Sequence, residues 1–105
     1  MQEVRVSNET ELLQAVTDHA GVGCRIIQTD NITLTADRTL NLSNISLDSN
    51  NNTLIFNGKS IICSGGYIDF SNIKISLTDY SVSPFRLTGS NDGSRIFNLV
   101  DFTII

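Results

Sequence analysis

The sequence has 105 residues, a formal net charge of -4 and 40% hydrophobic residues. A chain of this length forms one domain at most, close to the lower size at which a single core offsets the conformational entropy of folding. Its seven Lys and Arg residues stand singly rather than in a patch, which argues against binding of DNA or RNA. No apolar run approaches the roughly 20 residues that cross a bilayer, so we expect a soluble protein without a membrane partner.

The N-terminal sequence and the cysteines indicate where the protein is found and which kinds of site it lacks. The segment MQEVRV lacks the basic and apolar regions of a secretory signal, so we expect a cytoplasmic protein or a virion component. Cys24 and Cys63 are too few for a disulfide framework, and their spacing fits no zinc or redox motif. His19, the one histidine, would with Cys24 still lack two zinc ligands. The sequence therefore predicts buried free thiols, no metal and no cofactor.

Residues 7 to 20 carry the one convincing helix pattern. Asn8 is a candidate N-cap, Glu11 follows at the spacing of a capping box, and Gly21 is a candidate stop. The helix has an apolar stripe, made by Leu12, Leu13, Val16 and Ala20. Because no second helix is predicted, this stripe is expected to cover the end of a β structure.

From Cys24 onward the pattern changes to short segments of alternating or β-branched apolar residues. Asn, Asp, Ser and Gly residues separate these segments and indicate turns. The sequence therefore predicts many short strands, with the segments CRIIQ, ITLT, TLNL, ISLD, TLIF, SIIC, YIDF, IKISL, FRLT, RIFNL and VDFTII.

Three seven-residue segments suggest an internal repeat, with spacings of 28 and 29 residues. They are NLSNISL at 41–47, DFSNIKI at 69–75 and NLVDFTI at 98–104. Their second, fifth and seventh places are apolar. Their fourth place is predicted to form a ladder of turn side chains, made by Asn44, Asn72 and Asp101. A unit of this size cannot bury its apolar face alone, so copies are expected to stack with parallel strands.

The repeat predicts an all-β fold, a short parallel β-helix of about three coils behind an amphipathic capping helix. Residues 1–22 are expected to form the N-terminal strand and the capping helix, and residues 23–105 the coils of the same domain. An antiparallel β-sandwich is the rival architecture, because it also has short strands and frequent turns. It would show hairpin spacing rather than a repeat.

The order of the segments resembles a known family. A short strand VRV, the helix NETELLQAV, the strands CRIIQ and ITLT, and the forms SNISL and SNIKI are similar to the opening of right-handed parallel β-helix proteins of the pectin-lyase-like superfamily, including phage tailspikes. The resemblance covers essentially the whole chain. It implies right-handed winding and a homo-oligomer, with a trimer favoured. The family contains polysaccharide lyases, glycoside hydrolases, epimerases and non-catalytic fibre parts, so it does not choose a function.

Two regions are candidate contact sites. The segment VDFTII would leave apolar residues uncovered, which predicts an assembly surface made by Leu99, Phe102, Ile104 and Ile105. The longest interruption of the strand pattern lies at residues 78–84, and loops on a rigid scaffold commonly carry binding. The candidate residues of this binding loop are Asp79, Tyr80, Ser81, Ser83 and Phe85.

No convergent catalytic group is recognised in the sequence. Asp69 and Asp101 occupy different places of the repeat and need not align. The other acidic candidates mostly stand beside turn-forming residues, which predicts structural roles for Asp30, Asp37, Asp48, Asp79 and Asp92.

The sequence favours a non-enzymatic structural or binding module, similar to phage virion parts such as a tailspike segment or a capsid-attached protein. It would associate with itself or with another protein subunit. One alternative is the N-terminal fragment of a carbohydrate-active lyase or glycosidase, with a glycan as its ligand. Another is a small intracellular protein that binds and blocks a host protein.

Overall fold

The structure is a computed structural model, and it describes residues 2–65, 67–79, 81–88 and 96–105. One helix and twelve strands follow one another within these residues. They are β1 (Glu3–Val6), α1 (Glu9–His19), β2 (Cys24–Gln28), β3 (Ile32–Thr33), β4 (Arg38–Leu40), β5 (Ile45–Asp48), β6 (Thr53–Ile55), β7 (Ile61–Cys63), β8 (Tyr67–Ser71), β9 (Lys74–Ser76), β10 (Phe85–Leu87), β11 (Ile96–Val100) and β12 (Thr103–Ile104).

The strands form three parallel sheets. A five-stranded sheet has the order β1-β2-β5-β8-β11, a three-stranded sheet the order β10-β7-β4, and a four-stranded sheet the order β12-β9-β6-β3. All strand pairs among the described residues are parallel. The antiparallel β-sandwich that rivalled the first prediction is therefore excluded.

The three sheets and the helix enclose a single core. Strand register aligns inward side chains in rows, and Ile32, Leu54 and Ile75 form one such row, with each at most 2% exposed. Burial of side chains of this size stabilises the fold by roughly 1.5–3 kcal/mol each. In β2 the alternation of the sequence sends Cys24, Ile26 and the side chain of Gln28 inward.

Helix α1 begins as the sequence predicts. Asn8 has an extended backbone with φ of -152°, and its Oδ1 accepts a hydrogen bond from the N–H of Glu11 at 2.8 Å. The Glu11 carboxylate accepts from the N–H of Ser7 at 2.7 Å. The reciprocal bond of the capping box is thus made with the residue before the N-cap. Gly21 follows the helix with φ of 78°, a backbone conformation that favours glycine.

The helix covers one end of the core with a narrower stripe than predicted. Leu12, Ala15 and Val16 are buried, whereas Leu13 is half-buried and Ala20 is exposed. No helix among the described residues has the length and apolar character needed to cross a membrane.

Glu9 ties the first turn of α1 to the sheets. Its carboxylate accepts hydrogen bonds from the N–H and hydroxyl of Thr35 at 2.9 and 2.7 Å, and from the guanidinium of Arg38 at 3.1 Å. Partial burial raises the pKa of Glu9, but the bonds from Arg38 and Thr35 outweigh it and hold the pKa below its ordinary value of 4.5. The helix is therefore held over the edge formed by β3 and β4.

The strand register does not follow a uniform repeat. Ile26 pairs with Leu47, Leu47 with Phe70, and Phe70 with Leu99, so successive neighbours are 21, 23 and 29 residues apart. The strands also belong to sheets of five, three and four members. The predicted period of 28 residues is therefore wrong for the first part of the chain.

The segments 69–75 and 98–104 occupy equivalent positions, as their pairing shows. Segment 41–47 does not, because it contains the turn before β5, whereas 69–75 contains the turn after β8. Asn44 and Asn72 both adopt positive φ before a β-branched residue. Two different turns therefore require the same backbone conformation and use similar residues. The similarity of segment 41–47 to segment 69–75 comes from this local requirement and not from equivalent positions in the fold.

The predicted fold class is corrected by these findings. The prediction of an all-β, right-handed parallel β-helix of about three coils is wrong as stated, because the described residues form three parallel sheets of unequal strand number and one short helix. A β-helical solenoid is not shown. The fold is a small β-rich one, with parallel strands around one core.

The stripe of α1 makes a testable prediction about stability. We expect Leu12→Ala to lower the free energy of unfolding by about 2–4 kcal/mol, because it opens a cavity under the helix. The matched control Leu13→Ala removes a half-buried side chain of the same size, and it should cost about 1 kcal/mol or less. Urea unfolding followed by circular dichroism measures both, and equal losses would contradict the role assigned to the buried stripe.

Candidate functional site

One edge strand from each of the three sheets lies at the same end of the core. These strands are β11 of the five-stranded sheet, β10 of the three-stranded sheet and β12 of the four-stranded sheet. Residues of all three strands line one open cavity of about 490 Å³, which Pro84 and Asn98 complete. We call the six large apolar residues around it the end surface: Ile75, Leu77, Phe85, Leu99, Phe102 and Ile104.

Ile104 shows why this end is exposed. It pairs with Ile75 in the row that continues to Leu54 and Ile32. Ile75 is 2% exposed because β12 covers it, whereas no strand among the described residues lies beyond β12 and Ile104 is 53% exposed. Phe102 is 41% exposed. The end surface is thus a cross-section of the core in which Phe102 and Ile104 are exposed, whereas its other members are half-buried or, in the case of Ile75, buried.

The four residues predicted as an assembly surface lie together at this end. Leu99, Phe102 and Ile104 line the cavity. Ile105 lies beside them and is exposed, while its N–H donates a hydrogen bond to the carbonyl of Ile75 at 2.9 Å. Their placement matches the expectation, and their use in assembly stays a prediction.

Phe85 belongs to the end surface, although the sequence assigned it to the binding loop. Its ring packs edge-to-face against Phe56, with centroids 5.2 Å apart, and against Phe70, with centroids 5.6 Å apart. Such pairs contribute about 0.5–1.5 kcal/mol each beyond the area they bury. No spacing in the sequence indicates these contacts, because the three rings come from distant parts of the chain.

The remaining residues of the predicted binding loop have structural contacts. The carboxylate of Asp79 accepts from the hydroxyl and N–H of Ser81 at 2.6 and 2.9 Å, and these bonds hold the pKa of Asp79 below its ordinary value. Ser83 is exposed, and its carbonyl accepts from the buried hydroxyl of Ser60 at 2.7 Å. Tyr80 lies outside the described residues. Binding by this loop stays a prediction.

The ladder of turn side chains predicted for Asn44, Asn72 and Asp101 stays a prediction, but backbone hydrogen bonds connect neighbouring turns. Asn72 and Asp101 have φ of 52° and 54° and are neighbours, since the N–H of Asn72 donates to the carbonyl of Val100 at 3.0 Å. Asn51, with φ of 62°, donates its N–H to the carbonyl of Asn72 at 2.8 Å. Asn44 also has φ of 62° but lies in the turn before β5. Asn51 therefore takes the place predicted for Asn44.

Asp48 lies on the outer face of the five-stranded sheet and is fully occupied by neighbours. Its carboxylate accepts from the guanidinium of Arg25 at 2.6 Å, the N–H of Asn50 at 2.9 Å and the amide of Asn72 at 3.1 Å. Partial burial raises the pKa of Asp48, but the bonds from Asn72, Asn50 and Arg25 outweigh it and hold the pKa below its ordinary value of 3.8. This carboxylate therefore has a structural role.

Asp69 is occupied in the same way on the neighbouring strand. Its carboxylate accepts from the hydroxyl of Ser46 at 2.7 Å and from the amide of Asn98 at 3.0 Å. Partial burial and the charge of Asp69 raise the pKa of the nearby Tyr67. The outer face of this sheet is therefore a row of hydrogen-bonded pairs, which supports structural rather than acid–base roles for its carboxylates.

The two thiols are buried and free, as the sequence predicts. Burial raises the pKa of Cys24, and it raises the pKa of Cys63 to about 12. Because the thiolate is the nucleophilic form, both are expected to react slowly at neutral pH. His19 contacts the carbonyl of Ala15 through Nδ1 at 2.9 Å. Within the described part of the chain, no group of three or more His, Cys, Asp or Glu residues is placed to hold a metal ion.

No protein-family model, curated protein or solved structure matches this chain. The resemblance to the pectin-lyase-like superfamily therefore stays a prediction. Function has to be inferred from the geometry of the chain itself, and the end surface is its most distinctive feature.

The positive φ of Asn72 predicts a specific cost of substitution at this position. A side chain with a Cβ is strained at φ of 52°. Asn72→Ala should therefore lower the free energy of unfolding by about 1–2 kcal/mol more than Asn72→Gly, although both lose the bond to Asp48. Chemical denaturation of the two variants isolates the backbone effect. Equal stability of the two variants would contradict the role assigned to the positive φ of Asn72.

The carboxylates of Glu9 and Asp48 predict acid sensitivity. Both have a lowered pKa in the folded protein, so their contribution to stability is complete above their ordinary values and is lost as the pH falls through the lowered values. The free energy of unfolding should decline between about pH 5 and pH 2. Asp48→Asn and Glu9→Gln should each flatten this decline when denaturation is repeated across the pH range. If neither substitution changes the pH dependence of the free energy of unfolding, Glu9 and Asp48 are not its cause.

Proposed function

We propose that this protein is a non-enzymatic assembly module that associates with itself through the end surface. The carrying observation is that six large apolar side chains surround a cavity of about 490 Å³ where three sheets present edge strands. Contiguous apolar surface and unpaired strand edges are the features by which one chain pairs with another. Association would remove this apolar area from water.

The contrast between the two ends of the core supports this proposal. At the opposite end, α1 buries Leu12, Ala15 and Val16 against the sheets, and Glu9 secures the helix through Thr35 and Arg38. No described element covers the end surface in this way. A protein partner that covers it would do for this end what α1 does for the other.

The polar outer face supports a non-enzymatic role. Asp48 and Asp69, two carboxylates on the outer face of the five-stranded sheet, accept hydrogen bonds from neighbouring side chains. A group whose lone pairs stabilise the sheet is poorly placed to exchange protons with a substrate. The thiols are buried within the core.

The energetics require the whole end surface to take part. Covering a half-exposed Phe or Ile contributes about 1 kcal/mol, whereas association costs at least about 4 kcal/mol in lost translational and rotational freedom. Phe102 and Ile104 alone are therefore insufficient. Leu99, Phe85 and the backbone groups of the edge strands have to contribute, which makes the contact sensitive to single substitutions.

The finer expectations from the sequence stay predictions. These are a place in a phage-like virion, a host protein as the target, and membership of a larger carbohydrate-active enzyme. No contact of the described residues favours one of the last two over the module proposed here.

Self-association is tested by light scattering coupled to size exclusion, which compares the molar mass with the 11.5 kDa of one chain. We expect the wild-type protein to exceed one chain, with a mass that rises with concentration. Ile104→Asp should return it to a monomer, because the new carboxylate would be desolvated in the contact. Because Ile104 is 53% exposed, the variant should remain folded, and circular dichroism checks this.

Val22→Asp is the matched control. Val22 is 81% exposed and lies in the turn after α1, away from the end surface, so the same change of charge should leave the mass of the assembly unaltered. A wild-type protein that stays at 11.5 kDa across the accessible concentration range would refute the proposed function.

A further inference from the structure

We infer that Gln28 and Ser49 form a buried binding site for a single water molecule, which bridges β2 to the turn after β5. Among the described residues, Gln28 Oε1 and Ser49 Oγ are the two buried side-chain nitrogen or oxygen atoms that have no hydrogen-bond partner. Both residues are 0% exposed. A buried polar atom is normally satisfied by another protein group or by an ordered water. The site is separate from the end surface and independent of the proposed assembly.

The strand register places the two residues side by side. Ile27 of β2 pairs with Asp48 of β5, so the residues that follow them, Gln28 and Ser49, are neighbours as well. Gln28 continues the buried series of β2, and Ser49 continues the buried series of β5, so both side chains point into the core. Neighbouring strands lie about 4.8 Å apart. The two unpartnered oxygens are therefore within reach of one common ligand.

The hydrogen bonds of the Gln28 side chain determine which end of its amide is unpartnered. Its Nε2 donates to the carbonyls of Asp30 and Thr53, both at 2.9 Å. If the amide were rotated by half a turn, Oε1 would face these two carbonyls, and an acceptor would stand against acceptors. The orientation of the amide is therefore fixed by its contacts. Oε1 points away from the two carbonyls and requires a donor from another source.

The backbone holds both side chains at this position. The N–H of Ser49 donates to the carbonyl of Ser71 at 3.0 Å, and the carbonyl of Ser49 accepts from the N–H of Asn52 at 2.8 Å. The side-chain amide of Asn52 donates to the carbonyl of Gln28 at 2.8 Å. Turning either side chain out to solvent would require these bonds to break. The two oxygens therefore stay in the core, where only a bound molecule can satisfy them both.

The chemistry of the two oxygens selects water as the ligand. An amide oxygen only accepts a hydrogen bond, whereas a hydroxyl both donates and accepts, so the ligand has to donate to Gln28 and bond with Ser49. A cation cannot donate in this way, and burying it without a neighbouring carboxylate would be costly. The carboxylate of Asp30 accepts from the N–H of Asn31 at 2.8 Å, and Asp30 is exposed. Water has the required donors, and it needs about two to four polar partners when buried.

Ser60 provides a comparison within the same chain. It is also 0% exposed, but its hydroxyl donates to the carbonyl of Ser83 at 2.7 Å. A protein group therefore satisfies this hydroxyl directly, and no water is needed. The two buried serines differ in this respect, which makes Ser60 the matched control for Ser49.

A crystal structure of the wild-type protein, at a resolution that shows ordered water, tests the site directly. We expect a peak of electron density at about 2.5–3.0 Å from both Gln28 Oε1 and Ser49 Oγ, the usual length of such hydrogen bonds. Direct donation from the Ser49 hydroxyl to Gln28 Oε1, with no density between them, would overturn the inference. Two unbonded oxygens with no density nearby would also overturn it.

Relaxation dispersion of water oxygen tests the site in solution, because it counts the water molecules that a protein holds for long times. Ser49→Val replaces the hydroxyl with methyl groups that fill the place of the water, so the count should fall by one molecule relative to wild type. Ser60→Val should leave the count unaltered. An unchanged count in a folded Ser49→Val variant would overturn the inference. If Ser49→Val does not fold, the crystal structure of the wild-type protein decides.

Discussion

Parallel pairing of strands across three sheets is the constraint on which the rest of this structure depends. A side chain that points into the core is covered only if another strand follows in its sheet or a helix lies over it. Ile32, Leu54 and Ile75 meet this condition, whereas Ile104, at the end of the same row, does not. A small core built in this way has two ends. Helix α1 covers one, and the other presents the end surface, on which the proposed function in assembly rests.

Polar residues hold this arrangement in register. Asn51, Asn72 and Asp101 take positive φ at neighbouring turns, and their backbone hydrogen bonds run from one turn to the next. On the outer face, Asp48 and Asp69 connect adjacent strands through charged and amide partners. These groups keep the strands aligned so that their apolar rows coincide inside. The same alignment brings β10, β11 and β12 to a common end, and the surface proposed for assembly is therefore a consequence of the turns.

Local features of the fold were predictable because short-range chemistry determines them. Asn8 begins the helix, Gly21 follows it, and alternation in CRIIQ sends Cys24 and Ile26 into the core. The fold class was predicted incorrectly because the sequence similarity of segment 41–47 to the two later segments was interpreted as a structural repeat. Asn44 and Asn72 meet the same demand for positive φ before a strand, yet they belong to different turns. Only pairing between distant strands, such as Leu47 with Phe70, reveals the true register.

The sequence by itself determined the β-rich character, the capping helix, the buried thiols and an apolar group around Phe102 and Ile104. These features depend on the periodicity and turn preference of nearby residues, which the sequence displays directly. The tertiary structure alone decided the three sheets, the packing of Phe85 against Phe56 and Phe70, and the engagement of Asp48 and Asp69. Each of those depends on contacts between residues far apart in the chain, and no local pattern specifies which distant strand becomes a neighbour.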